Sequence, residues 1–176
     1  MMRGSEAINF EKKRVGTIFS HFFHRELIFT DVVYADREDL LEKLSRYLCE
    51  KGFVKETFRE AILERERKYP TGLRILPYHV AIPHTDPEHI KTPFIAMVRP
   101  KQSIEFVEMA THDQVVDARL VFVLGLKQSA EQVDLLQSLV DLFMKQQVMD
   151  QLLKEHDVEI IMSLLEKNLS AKGLSV

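Results

Sequence analysis

Leu120-Val121-Phe122-Val123-Leu124-Gly125-Leu126 is an uncharged run that decides the fold. It is too short for a buried helix of ordinary length, and its β-branched and aromatic residues favour extended backbone. Gly125 and Lys127 bound it, so it reads as a strand covered on both faces. Val80–Ile82 and Phe94–Val98 are short, apolar and bounded by proline or charge in the same manner. Leu27–Tyr34 reads as a further strand, and Ile104, Phe106 and Val107 mark a short one.

Helical spacing surrounds these runs. Leu40, Leu41, Leu44 and Leu48 share one face of a helix that Gly52 ends. A second helix, Lys55 to Lys68, carries Phe58, Ala61 and Ile62 as its stripe and stops at Tyr69-Pro70-Thr71-Gly72. Ser129 with Gln132 three residues later has capping-box spacing ahead of a long helix bearing Val133, Leu136, Leu139, Val140 and Phe143. A last helix follows Asp157, with Ile160, Ile161, Leu164 and Leu165. Helices before and after a cluster of strands predict the α/β class, a three-layer α/β/α sandwich with a small mixed β-sheet. Residues 1–25, where Phe10, Val15, Ile18, Phe19, Phe22 and Phe23 alternate with charges, read as an N-terminal extension of amphipathic helical character. Residues 26–176 read as the single domain.

Composition narrows the function classes. A chain of 176 residues with 45% hydrophobic content is long enough to bury one core. A net charge of −3 gives no general attraction for nucleic acid or an anionic membrane surface. No apolar run approaches the roughly 20 residues that cross a bilayer. The first residues do not resemble an export signal, and a single cysteine excludes an internal disulfide. A cytoplasmic location is expected, without membrane insertion.

Chemistry concentrates in Val80-Ala81-Ile82-Pro83-His84-Thr85-Asp86, where an apolar strand runs into a proline and then an imidazole. Proline removes a ladder donor, so strand pairing should end there and present His84 at the rim of the sheet. Neutral imidazole is a competent nucleophile near pH 7 and needs neither metal nor cofactor. From these residues alone, His84 is either such a nucleophile or a surface loop histidine. Arg65, three residues after Ile62 and seven after Phe58, falls on the face otherwise used for burial. Its guanidinium requires an acceptor there, which a phosphoryl group or an ion-pair partner would provide.

Other constellations are weaker. His79, His84 and His89 with Asp86 and Glu88 could be read as a metal cluster. However, His79 and His84 differ by an odd number in extended chain, and Pro83 and Pro87 prevent one helix from presenting His84 with Glu88. His21 and His24 lie among phenylalanines and suit packing. Cys49 falls within a helix with no glycine-rich loop after it. Arg65, Arg67 and Lys68 alternate with glutamates, as a solvated helix face does.

Leu63-Glu64-Arg65-Glu66, Pro70-Thr71-Gly72-Leu73 and Val80-Ala81-Ile82-Pro83-His84, in that order, resemble the IIA component of the bacterial sugar phosphotransferase system. Within the fructose/mannitol superfamily the likeness is to the galactitol-type branch, over residues 26 to 165. Leu27–Tyr34, Phe94–Val98 followed by Arg99-Pro100, and Leu120–Leu126 before the long helix extend it. The resemblance implies a phosphoryl carrier that accepts phosphate from HPr on His84. It passes the group to a IIB component for coupled sugar uptake. Arg65 matches an arginine near the active site of such proteins. Gln132 stands where the mannitol and fructose branches carry a second histidine, as an amide able to donate to phosphate without becoming cationic. His79 resembles a histidine found before this strand in galactitol-type members. The alternative is a regulatory IIA-like domain whose histidine phosphorylation controls a partner protein.

Overall fold

The computed structural model describes residues 20–169. Phe10, Val15, Ile18 and Phe19, read as part of an amphipathic helix, lie outside the described residues. Ser20–Phe22 is a single 3-10 turn that leads directly into β1, Phe23–Val32, a strand that starts four residues earlier than its β-branched centre indicates. Helix α1, Arg37–Glu50, buries Leu40, Leu41, Leu44 and Leu48 as their spacing predicts. The Asp36 carboxylate caps it by accepting from the Asp39 amide. Gly52 ends it with φ +83, a left-handed conformation that glycine adopts without a Cβ penalty.

Helix α2 spans Phe58–Lys68, and its buried residues are Phe58, Ile62 and Glu66. The expected Ala61 is only half-buried. The steps of four from Phe58 through Ile62 lead to a carboxylate. Then come β2 (Gly72–Leu73), β3 (Val80–Ala81), β4 (Phe94–Pro100), β5 (Ile104–Val107), β6 (Val115–Ala118) and β7 (Leu120–Gly125). The long helix is α3, Ser129–Phe143; α4, Gln146–Lys154, and α5, Val158–Asn168, close the described chain.

Five strands form one mixed sheet in the order β1-β4-β7-β3-β2. β1 runs parallel to β4 and β3 parallel to β7, while β4 is antiparallel to β7 and β2 to β3. β4 and β7 are buried at every position, which explains why both lack polar alternation. Their residues divide between two cores. Ile95, Met97, Leu120, Phe122 and Leu124 pack with Leu135, Leu139, Met149, Leu152 and Ile161 of α3, α4 and α5. Phe94, Ala96, Val98, Val121 and Val123 pack with α1, α2 and the inner residues of β5 and β6. This is the α/β/α layering that the sequence predicts.

Two local expectations for α3 differ from the structure. Gln128, not Ser129, is the N-cap of α3 and makes no side-chain cap hydrogen bond, so Ser129 is already the first helical residue. The buried stripe of α3 includes Leu135, Ser138, Leu139, Leu142 and Phe143, whereas Val133 is exposed. Helix α4, for which the sequence gives no expectation, is a separate helix whose end is held by Arg99. That side chain, 3% exposed, donates from Nη1 to the Leu152 and Glu155 carbonyls at 2.8 and 2.7 Å. Its Nη2 lies 3.3 Å from Asp31. A guanidinium set on unpaired carbonyls at a helix C-terminus satisfies both hydrogen bonding and the helix dipole.

Candidate active site

The last carboxyl-directed step of β3 builds the site. Pro83 does remove a donor, yet pairing continues past it on the acceptor side: the Leu124 amide donates to the Pro83 carbonyl at 3.0 Å. His84 then forms a parallel bridge with Leu124. The imidazole is therefore fixed to the central strand rather than carried on a loose loop. It is half-buried, beside fully buried Thr85.

The ring orientation follows from one bond. Nδ1 of His84 lies 2.8 Å from the Ile82 carbonyl, which can only accept, so Nδ1 carries the proton. In the neutral ring Nε2 then holds the lone pair. Burial pushes the His84 pKa below its ordinary 6.5, with the positive charge of Arg65 acting in the same direction. The Ile82 bond and Asp86 oppose this. A neutral ring is favoured near pH 7.

His84 opens into a cleft of ≈ 370 Å³. Arg65 and Lys68 from α2, with Tyr69 at its C-cap, line it together with Pro70 and Thr71, and Met109, Ala110, Thr111 and His112 form the far wall. Arg65 stacks over Tyr69, its Cζ 4.7 Å from the ring centroid. Its Nη1 is 3.7 Å from Asp86 Oδ1. Glu64 is engaged with Lys68 at 2.7 Å and Arg67 with Glu38 at 3.2 Å, so the charges flanking Arg65 in sequence point elsewhere. The pair with Asp86 is long and half-exposed, a weak contact that an anion of better geometry would displace.

The far wall is the β5–β6 turn, which sequence reasoning did not connect with His84. The Met109 amide donates to the Gly72 carbonyl at 2.8 Å, and Arg74 pairs with Glu108 across the same junction. A Cβ on Gly72 would stand 2.6 Å from the Val107 carbonyl oxygen, so glycine permits the approach. Ala110, at the turn, has φ +64. His112 brings a second imidazole to the cleft; its only sequence signal was its place in a polar turn between two short strands.

The remaining histidines are dispersed. His79 Nδ1 lies 3.0 Å from the Ile75 carbonyl. His89 contacts Thr57 Oγ1 at 2.8 Å, and His24 packs edge-on against Phe53. Among the described residues no group of three or more His, Cys, Asp or Glu side chains is placed to hold a metal ion. Cys49 is half-buried within α1, away from the cleft. Gln132 is half-buried in the first turn of α3, just beyond the carboxyl end of β7, and does not line the cleft.

Fold and site together define an α/β domain that presents a neutral imidazole beside a guanidinium in an open cleft. Residues 21–168 match the family described as phosphoenolpyruvate-dependent sugar phosphotransferase system, EIIA 2. The chain belongs to this family and is an EIIA component, a phosphotransferase acting through phosphohistidine. The galactitol-specific EIIA component of Escherichia coli (strain K12) is 31% identical over 108 residues, spanning 61% of this chain and 71% of that protein. The fructose-specific EIIABC component of Bacillus subtilis (strain 168) is 25% identical over 137 residues, 76% of this chain and 20% of that longer protein. Among solved structures, the nitrogen regulatory protein IIA-Ntr of Neisseria meningitidis superposes with a TM-score of 0.70 at 20% identity. That match covers 85% of this chain and 99% of that one. Escherichia coli enzyme IIA for mannitol, in complex with phosphorylated enzyme IIB, gives 0.65 at 21% identity, covering 82% and 97%. No helix among the described residues is long and apolar enough to cross a membrane.

Proposed function

We propose that His84 is the residue that carries the phosphoryl group, received from HPr and delivered to a cysteine of a IIB component in the cytoplasm. The observation that carries this reading is the bond from Nδ1 to the Ile82 carbonyl, which leaves Nε2 as the free nucleophile beside Arg65. The Nε2 lone pair attacks phosphorus in line. The bond from phosphorus to the donor's histidine nitrogen breaks, and that nitrogen leaves with the electron pair. In the second half-reaction a thiolate sulfur attacks the same phosphorus and Nε2 leaves.

Phosphoryl transfer needs positioning and stabilisation of spread negative charge more than proton transfer. Arg65 supplies planar donors for the phosphoryl oxygens on leaving its weak contact with Asp86. The Ile82 carbonyl stabilises the ring as it becomes electron-poor. Gln132, in the first turn of α3 after the strand that bridges to His84, is assigned an auxiliary amide donor role on the family likeness alone. The carrier domain is drawn from Ser20 rather than from residue 26, because β1 starts at Phe23 and Phe22 and Phe23 belong to the core.

Incubation with phosphoenolpyruvate, the general phosphotransferase enzyme and HPr, followed by mass measurement, tests the assignment. The wild-type protein should gain one acid-labile phosphoryl group and His84→Ala none. An adduct that persists in His84→Ala refutes it. Transfer from the phosphorylated protein to a purified IIB component tests the second step, and failure with every IIB tried refutes the transport role.

A further inference from the structure

We infer that Glu66 is a positioning residue for His84, acting through Thr71 and Ile82 to keep the proton on Nδ1 and Nε2 open to the cleft. The inference rests on the reading of His84 as nucleophile only for its consequence; the linkage itself is structural.

Four bonds connect the two side chains. Glu66 Oε1 accepts from the Thr71 amide at 3.0 Å, and Oε2 from the Thr71 hydroxyl at 2.8 Å. The Thr71 carbonyl accepts from the Ile82 amide at 3.2 Å. The Ile82 carbonyl accepts from His84 Nδ1 at 2.8 Å. Each intermediate residue is held on both sides: Thr71 through its amide, hydroxyl and carbonyl, and Ile82 through its amide and carbonyl. Glu66, Thr71 and Ile82 are 6%, 2% and 3% exposed, so water does not compete for these groups.

Glu66 is an expensive way to tie down a turn. Burial raises its carboxyl pKa to about 7 despite the two Thr71 bonds and the nearby Arg37 charge. An apolar residue continuing the stripe of Phe58 and Ile62 would avoid that desolvation. What the carboxylate provides instead is a two-point grip on the residue whose carbonyl holds the Ile82 amide. That bond fixes the Ala81–Ile82 peptide on one side of the Ile82 Cα, and the Ile82–Pro83 peptide on the other side carries the acceptor for His84 Nδ1, so the grip restrains the residue that aims it, as outer hydrogen-bond partners do for functional histidines elsewhere. A mere helix-end cap would hold Thr71 without any effect on the imidazole.

The test reads the imidazole directly. Nitrogen-15 NMR of His84 at pH 8, in the full chain, reports the neutral tautomer, and phosphorylation by HPr reports the rate at matched folded fraction. The wild type should show the proton on Nδ1. Glu66→Ala should shift a substantial fraction to Nε2–H and slow phosphorylation about tenfold. Glu66→Gln keeps one acceptor for the Thr71 amide and a donor for its hydroxyl, and should restore both readouts. If Glu66→Ala does not fold, Thr71→Val, which removes the hydroxyl contact alone, takes its place and should shift both readouts in the same direction. A wild-type tautomer and rate in the folded variant overturns the inference, as does a wild-type ring protonated on Nε2. Absence of phosphorylation in the wild type would instead overturn the assignment of His84, while the tautomer comparison would still judge Glu66.

Discussion

Replacing Glu66 with glutamine should remove a pH dependence of folding stability that the wild type carries. The Glu66 carboxyl is raised from the ordinary 4.5 to about 7, with burial as the largest cause. The folded chain thus binds this proton more tightly than the unfolded chain. The Glu66 contribution to stability is largest below pH 4.5, where both states are protonated, and falls as pH rises toward 7, where the folded chain must also ionise. Above that the loss is complete. At about 1.4 kcal/mol per pH unit the full change is about 3 kcal/mol, and with Glu66 only 6% exposed, solvent screening reduces it little. Urea unfolding of wild type and Glu66→Gln at intervals from pH 4.5 to 8 measures it. Taking the difference between the two proteins cancels the other titrating groups, including His84, whose lowered pKa acts in the opposite direction. The stability of Glu66→Gln relative to wild type should rise by about 3 kcal/mol across the range. Parallel curves would refute the claim that Glu66 is desolvated in the folded chain.

The acid limb of the pH–rate profile for phosphorylation of His84 should be centred below pH 6.5, because its pKa is lowered; a midpoint above 6.5 contradicts the burial argument. Arg65→Gln should slow phosphorylation about 100-fold while leaving thermal stability near wild type, measured by single-turnover transfer from HPr. Gly125→Ala would place a Cβ 2.1 Å from the Phe94 ring. It should cost about 1–3 kcal/mol in thermal unfolding, partly recovered when Phe94 is shortened to leucine. Arg99→Met leaves the Leu152 and Glu155 carbonyls without their donor and should cost about 3 kcal/mol in urea unfolding, with the rate of phosphoryl transfer unchanged in the folded protein.

Period and length made the layers legible. Continuous apolar runs at Phe94–Val98 and Leu120–Leu126 could only be strands covered twice, and the leucines of α1 could only be one helix face. The two-residue strands β2 and β3 carry too little pattern to show their sheet positions, and nothing in the spacing distinguishes parallel from antiparallel pairing. The same contrast holds at the site. His84 and Arg65 stand out as a polar group after an apolar strand and a charge beside a buried stripe. Glu66 was hidden by its neighbours: in Glu64-Arg65-Glu66-Arg67 it looks like part of a solvated ion-pair face, although its step of four from Ile62 marks the buried side. The wall formed by Met109 to His112 was invisible for a different reason. It reaches the cleft through the backbone bond from Met109 to Gly72, far earlier in the chain, which side-chain patterning does not encode.

The bond from the Leu124 amide to the Pro83 carbonyl also orders events during synthesis. Residues Val80 and Ala81 find their parallel partners at Leu120 and Val121, so a ribosome must extend the chain well past His84 before the strand that fixes it exists. A nascent chain that already exposes the histidine therefore has neither the fixed ring nor the far wall of the cleft. If His84 is the acceptor proposed above, competence to receive phosphate is expected to arrive only with closure of the sheet.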